Sequence, residues 1–182
     1  TISVFLDNVN LSVKNQFLLT QIVSLILVDL LKRFKIKSEI KWPNDIYVKG
    51  EKIAGVLIEN QIKSSVIKSS IIGIGLNVNQ INFEDFIATS VKKYTGKFEN
   101  IDDILYVFIN SFNKIWNLYF HQVNLIEREY LNYLYLKDVE SNYKDSIGLF
   151  CGIIRGVKSS GKLLIEKDNT RIHYGMKEIE FI

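Results

Sequence analysis

Cysteine and proline each occur once in this sequence, and histidine only twice. A lone Cys151 cannot close an internal disulfide, which excludes a disulfide-stapled secreted fold and leads us to expect a reducing, cytoplasmic setting. Its plain role is that of a small apolar residue at the start of a strand. His121 and His173 stand far apart without ligand spacing, so no metal site is expected. An excess of one charge is missing too. The 23 basic and 20 acidic residues leave a net +3, scattered rather than blocked, which gives no footprint for nucleic acid. The most apolar stretch, Phe17 to Leu31, is broken by Thr20, Gln21, Ser24 and Asp29, so it suits a buried helix and not a membrane span. No basic leader with an apolar run behind it opens the sequence, and secretion is not expected.

What is present points to a packed core. A hydrophobic fraction of 47%, with 11 Phe and 9 Tyr, lies far from disorder. Residues 2–7 alternate weakly and read as a strand that begins abruptly, as if something upstream had been lost. A helix is expected from about Gln16 to Lys35, apolar on most sides and therefore covered. Strands follow at Glu39–Trp42, Ile46–Val48, Lys52–Ile62 and Val66–Val78, with Lys49-Gly50-Glu51 as a tight hairpin. Asn100 then caps a second helix, whose Ile101, Leu105, Phe108, Phe112, Ile115 and Tyr119 recur at three- and four-residue spacing and are expected to form one buried stripe. A further helical stretch runs from about Leu125 to Leu136. The aromatic group Trp116, Tyr119, Phe120, Tyr130, Tyr133 and Tyr135 reads as helix packing. Short β-rich runs after Ser146 suggest a small barrel, with a boundary near residue 144.

Two stretches could carry chemistry. In Lys41-Trp-Pro-Asn-Asp45, Pro43 removes a ladder donor and holds Trp42 extended, so pairing should break and present Asn44 and Asp45 at a strand end. The hairpin then returns Lys52 to the level of Asp45, with the small Ala54 expected on the same face to leave room. A charged pair beside an extended Trp fits an anionic ligand; a surface hairpin with an ordinary salt bridge fits equally well. In Ile71-Ile-Gly-Ile-Gly-Leu-Asn-Val-Asn79, strand alternation puts Gly73, Gly75, Asn77 and Asn79 on one face. Glycines inside a strand mark close approach of a ligand or another backbone, here with asparagine amides beside them; packing of a helix onto the sheet is the rival reading. A dinucleotide fingerprint is excluded, because the third glycine and the following helix are missing.

The runs Lys41-Trp-Pro-Asn-Asp, Lys52-Ile-Ala-Gly-Val-Leu-Ile-Glu and Gly73-Ile-Gly-Leu-Asn-Val-Asn resemble, in order and spacing, three signatures of the biotin–protein ligase catalytic domain. Gly152-Ile-Ile-Arg-Gly-Val, Gly161-Lys-Leu-Leu-Ile-Glu and Lys177-Glu-Ile-Glu-Phe resemble that family's small SH3-like end domain. The resemblance implies an α+β fold: a mixed, largely antiparallel sheet flanked by helices, like class II aminoacyl-tRNA synthetases, followed by an SH3-like barrel. It implies a catalytic domain over 1–143 and the end domain over 144–182. It further implies an enzyme that activates biotin with ATP as biotinyl-5'-AMP, Mg2+ accompanying the ATP, and passes it to a lysine of a biotin carboxyl carrier protein. On the matching positions, Lys52 contacts biotin and the adenylate phosphate, Asp45 stands near the reacting centre, and Asn77 lies on the nucleotide side. Lys41, Trp42 and Asn44 frame the pocket, Gly55 closes on biotin, and Gly73 and Gly75 form the bare strand.

The family's Arg/Gly-rich adenylate loop and its biotin-ring residues have no counterpart here, so the sequence is expected to be either a piece of a longer chain, the favoured reading, or a truncated, inactive product. The family's DNA-binding winged helix is likewise absent, and no nucleic-acid or membrane partner is implied. The family contains monomers and dimers joined through sheet edges, which leaves a homodimer open. Two alternatives stand beside this reading. One is a lipoate or octanoate ligase-like enzyme, which binding of lipoate against biotin would reveal. The other is a non-catalytic binding or dimerisation module, which would release no pyrophosphate from ATP.

Overall fold

Alternating burial along the first strand sets the pattern for the whole sheet. The computed structural model describes residues 1–84, 87–119 and 122–182. The expectations for Phe120 and His121, and for the Tyr119 side chain, lie outside the described residues. Strand β1 (Ile2–Leu6) turns Ile2, Val4 and Leu6 inward and exposes Ser3 and Phe5. The short β2 (Leu11–Ser12) pairs with the far end of β6. A single 3-10 turn then leads into α1 (Phe17–Arg33), the central helix. All but four of its 17 residues are buried, the exceptions being Thr20, Asp29, Lys32 and Arg33. Its length and composition would allow it to cross a membrane, yet 67% of its apolar window is buried inside the fold. Each buried Leu or Ile here contributes roughly 1.5–3 kcal/mol.

The large sheet runs β1-β6-β5-β4-β3, with β3 (Glu39–Lys41), β4 (Asp45–Val48), β5 (Glu51–Lys63) and β6 (Val66–Leu76). The β4–β5 hairpin turns at Lys49 and Gly50, both at positive φ, where the sequence places its turn. One face of the sheet lies on α1, and α1 packs in turn against α3 (Ile101–Tyr119) and α4 (Val123–Asn132). In chain order between β6 and α3, α2 (Val91–Thr95) is capped by the Ser90 hydroxyl and ended by Gly96. Asn100 caps α3 through its side chain, accepting from the Asp102 N–H at 2.8 Å.

The stripe expected on α3 is rotated. Ile101 and Leu105 are exposed, whereas Ile104, Phe108, Ser111 and Ile115 are buried. Ser111 faces inward because its hydroxyl donates to Asp29 of α1 at 2.8 Å. The aromatic group also divides. Tyr130 is fully buried against Phe17, and Trp116 stacks on Phe112. Tyr135 instead packs on Tyr47 of β4, and Tyr133 accepts from Lys32.

A second sheet has the order β10-β9-β8-β7-β11. Its strands are β7 (Glu140–Lys144), β8 (Leu149–Val157), β9 (Leu163–Lys167), β10 (Thr170–Tyr174) and β11 (Glu180–Phe181). β7 opens this sheet ahead of the compositional change near residue 144. Among the described residues every strand ladder is antiparallel, and parallel pairing is confined to isolated bridges such as Ile40–Leu134. The two sheets share one core, in which Trp42, Ile46 and Ile74 belong to the same cluster as Tyr143, Ile154 and Ile165.

Candidate active site

The outer face of the large sheet, away from α1, collects the candidate residues. Residues directly opposite on neighbouring strands share a face. Lys41 pairs with Asp45, Asp45 with Gly55, and Gly55 with Gly75, so these four form one row across β3, β4, β5 and β6. The next outward pair on β5 and β6 is Leu57 opposite Gly73. Leu57 is 64% exposed, an apolar wall on an otherwise bare strip.

Lys52 reaches this row through an irregularity. The ladder shifts between Ile46 and Tyr47, where Ile46 opposes Ala54 but Tyr47 opposes Lys52. One extra residue on β5 leaves both Ile53 and Ala54 buried and turns Lys52 outward along with Gly55. Here the structure corrects the sequence. Ala54 does not share the face of Lys52, because the bulge interrupts the alternation on which that expectation rested. The room comes from Gly55. A Cβ built there would stand 3.1 Å from Asp45 Oδ1 and 3.2 Å from both Cε and Nζ of Lys52. The Lys52 ammonium meets Asp45 Oδ1 at 2.6 Å, with side chains 44% and 26% exposed. A pair that open to water adds little to stability, on the order of 0–1 kcal/mol, so its placement matters for what it can bind.

The hairpin turn is fastened behind the row. Asn44 brackets Val56, its side chain donating to the Val56 carbonyl at 2.6 Å and its carbonyl accepting from the Val56 N–H at 3.0 Å. Trp42 is only 4% exposed and points into the core, where its indole N–H donates to the Gly161 carbonyl at 2.8 Å. It frames the strip from beneath and presents no surface to it.

Asn77 and Asn79 lie just beyond β6, which ends at Leu76, so strand alternation does not carry through to them. The Asn77 N–H donates to the Ile53 carbonyl, and its side chain donates to the Thr89 carbonyl at 3.1 Å. The Thr89 N–H in turn donates to the Lys52 carbonyl at 2.9 Å, closing a ring of bonds around the base of Lys52. Asn79 clamps Glu99 through both amide ends. Both asparagines border a cavity of about 510 Å³ lined also by Thr1, Ile2, Leu76, Ile101 and Leu105. Lys52, Asp45 and Gly55 do not line it, so the strip and this cavity are neighbours joined through β6. Tyr47 and Thr89 went unnoticed in the sequence. Tyr47 could have been found, since it lies two residues from Asp45 on the same strand face; Thr89 carries no local signal.

The sequence profile of the biotin/lipoate A/B protein ligase family matches residues 1–77. That span holds every candidate residue from Lys41 to Asn77. Among curated relatives, the bifunctional ligase/repressor BirA of Bacillus subtilis is 32% identical over 150 residues, which is 79% of this chain and 45% of that protein. Biotin–protein ligase 1, chloroplastic, of Arabidopsis thaliana is 31% identical over 146 residues, 76% of this chain and 39% of that one. Over residues 1–77 the chain is thus similar to the biotin/lipoate A/B protein ligase family, and over most of its length to these two ligases. It spans less than half the length of these curated family members. In fold, the apo biotin protein ligase from Aquifex aeolicus superposes with a TM-score of 0.80 at 22% identity, covering 99% of this chain and 80% of that one. The outer strip with its row of Lys41, Asp45, Gly55 and Gly75 therefore sits on the ligase fold.

Proposed function

We propose that this chain carries the biotin-activating core of a biotin–protein ligase. It joins biotin to ATP as biotinyl-5'-AMP and hands the acyl group to a lysine of a biotin carboxyl carrier protein. The observation that carries the reading is the Lys52–Asp45 pair beside Gly55 and Gly75, a fixed cation at the edge of a strip stripped of side chains. Such a strip admits a flat bicyclic ring against backbone, and Leu57 offers it an apolar wall. A protein of the same fold, the biotin protein ligase from Aquifex aeolicus, is known in complex with biotin and ATP, which supports these ligands.

The first half-reaction brings a carboxylate onto the α-phosphate of ATP. Two anions must approach, so a compact fixed cation in the Lys52 position lowers the barrier where charge accumulates. ATP enters with its magnesium as a substrate complex. Among the described residues no group of three or more His, Cys, Asp or Glu side chains is placed to hold a metal, so no step is assigned to a protein-held ion. In the second half-reaction a lysine amine, whose ordinary pKa is about 10.4, attacks the mixed anhydride. A carboxylate is a weak base toward such an amine, and the role assigned to Asp45 is to orient the incoming nitrogen. Asn77 is assigned to the nucleotide side, with residues 1–143 as catalytic domain and 144–182 as SH3-like end domain.

Calorimetric titration of biotin tests the reading. The chain binds biotin in preference to lipoate, and Lys52→Ala weakens binding by more than tenfold, a loss above about 1.4 kcal/mol. Equal affinity in the Lys52→Ala variant would remove the assigned cation. Release of pyrophosphate from ATP and biotin separates an enzyme from a binding module.

A further inference from the structure

The second sheet reaches the candidate row at Lys41. Lys41 and Asp45 are direct cross-strand partners on the outer face, and opposite charges in that relation pair by default. They do not pair here. The carboxylate of Asp45 takes Lys52, and no ion pair joins it to Lys41. The Lys41 ammonium instead donates to the Tyr47 hydroxyl at 3.1 Å and stands 5.0 Å from the centroid of the Phe181 ring. Both aromatic rings are themselves held. Tyr47 packs on Tyr135 at 5.6 Å, and Phe181, on β11, meets the buried Tyr143 edge-on at 5.3 Å.

We propose that Phe181, acting with Tyr47, is a positioning residue that draws the Lys41 ammonium off Asp45. Cation–π attraction and one hydrogen bond compete with the default ion pair and win it. Asp45 is thereby left with Lys52 alone, and its free lone pairs remain available to the acceptor amine. This assignment rests on the ligase reading above. It makes the second sheet part of the transfer step, through one ring and without any contact to biotin.

The tests use Phe181→Leu, which keeps apolar bulk and removes the ring, and Phe181→Tyr, which restores it. In a crystal structure of Phe181→Leu the Lys41 ammonium lies within 4 Å of Asp45, the distance expected of an ion pair. Transfer from preformed biotinyl-adenylate to the acceptor falls about fivefold, while biotin affinity and pyrophosphate release stay within about twofold. Phe181→Tyr recovers the transfer rate, which a loss of general stability would not explain. Should Phe181→Leu fail to fold, Tyr47→Leu removes both the hydroxyl partner and the ring over which the Lys41 ammonium stands at 4.7 Å, and the position of Lys41 and the transfer rate are read in the same way. Lys41 staying in place in the Phe181→Leu crystal, or transfer running at the wild-type rate, overturns the proposal. Absence of pyrophosphate release in wild type and variants alike would defeat the ligase reading; the position of Lys41 would then decide this assignment by itself.

Discussion

At Gly55 the absence of one carbon keeps an ion pair in place. Any Cβ there enters the space between Asp45 Oδ1 and the Lys52 ammonium, at 3.1 and 3.2 Å. Both obstructed groups are tips of side chains rather than backbone, so the strand itself can absorb an alanine. Alanine also restricts the unfolded chain more than glycine does. Fold and site should therefore separate in Gly55→Ala. The melting temperature stays within about 2 °C of wild type or rises, while biotin affinity falls about tenfold, roughly 1.4 kcal/mol. Thermal denaturation and calorimetry on the same sample check this. A variant that melts early and still binds biotin normally would show that Gly55 serves the sheet and not the ligand.

Among the elements, α1 and α3 meet at a charge. Asp29 of α1 accepts from Ser111 Oγ at 2.8 Å and from the Lys114 ammonium at 2.7 Å. Burial alone would raise its pKa. The bonds from Lys114 and Ser111, with the charges of Lys114 and Arg33, outweigh that and hold the carboxyl below its ordinary value. A depressed folded pKa means that the unfolded chain binds the proton more tightly. The stabilisation is therefore full above the unfolded pKa, near 4, and fades as pH falls through the lower folded value. Asp29→Asn should lose about 1–2 kcal/mol at pH 7, discounted for the half-exposed Lys114. Urea midpoints of wild type and variant should converge on acidification below about pH 4. A gap that stays constant down to pH 2.5 would assign the effect to shape instead of charge.

The same contact explains what the sequence could and could not show. α1, the turn at Lys49-Gly50 and the Asn100 cap follow from local chemistry and appear where the residues put them. On α3, however, apolar residues nearly encircle the helix, and several stripes satisfy the same spacing. Asp29, 82 positions away from Ser111, selects the one containing Ile104, Phe108 and Ile115. The bulge on β5 is a second case. Nothing in Lys52-Ile-Ala-Gly announces that two successive residues will be buried; the skip arises in the ladder with β4. The Lys52–Asp45 approach was legible because a tight hairpin guarantees it. Phe181 beside Lys41 was not, since it lies on β11, far along the chain, and meets Lys41 only through the packing of the second sheet.

On the scale of the whole molecule, that second sheet is interlocked with the first. The Trp42 indole donates to the Gly161 carbonyl, and Lys41 of β3 stands over the Phe181 ring of β11. Gly161 itself adopts φ +87°, and a Cβ there would stand 2.9 Å from the Phe17 ring. Phe17 is 3% exposed at the start of α1 and cannot retreat into water. Composition changes near residue 144, but the packing continues across both sheets. Gly161→Ala thus combines a left-handed backbone with overpacking and should cost about 2–4 kcal/mol. Trp42→Phe keeps the ring but strands a buried carbonyl, at about 1–3 kcal/mol. Because both changes act on one contact, the double variant should lose less than the sum of the two. Each variant should still unfold in a single transition, with tryptophan fluorescence and far-UV circular dichroism coinciding. An early transition in Gly161→Ala that left the fluorescence of Trp42 untouched would mean the second sheet can detach while the site strand stands, and Phe181 could then have no hold on Lys41.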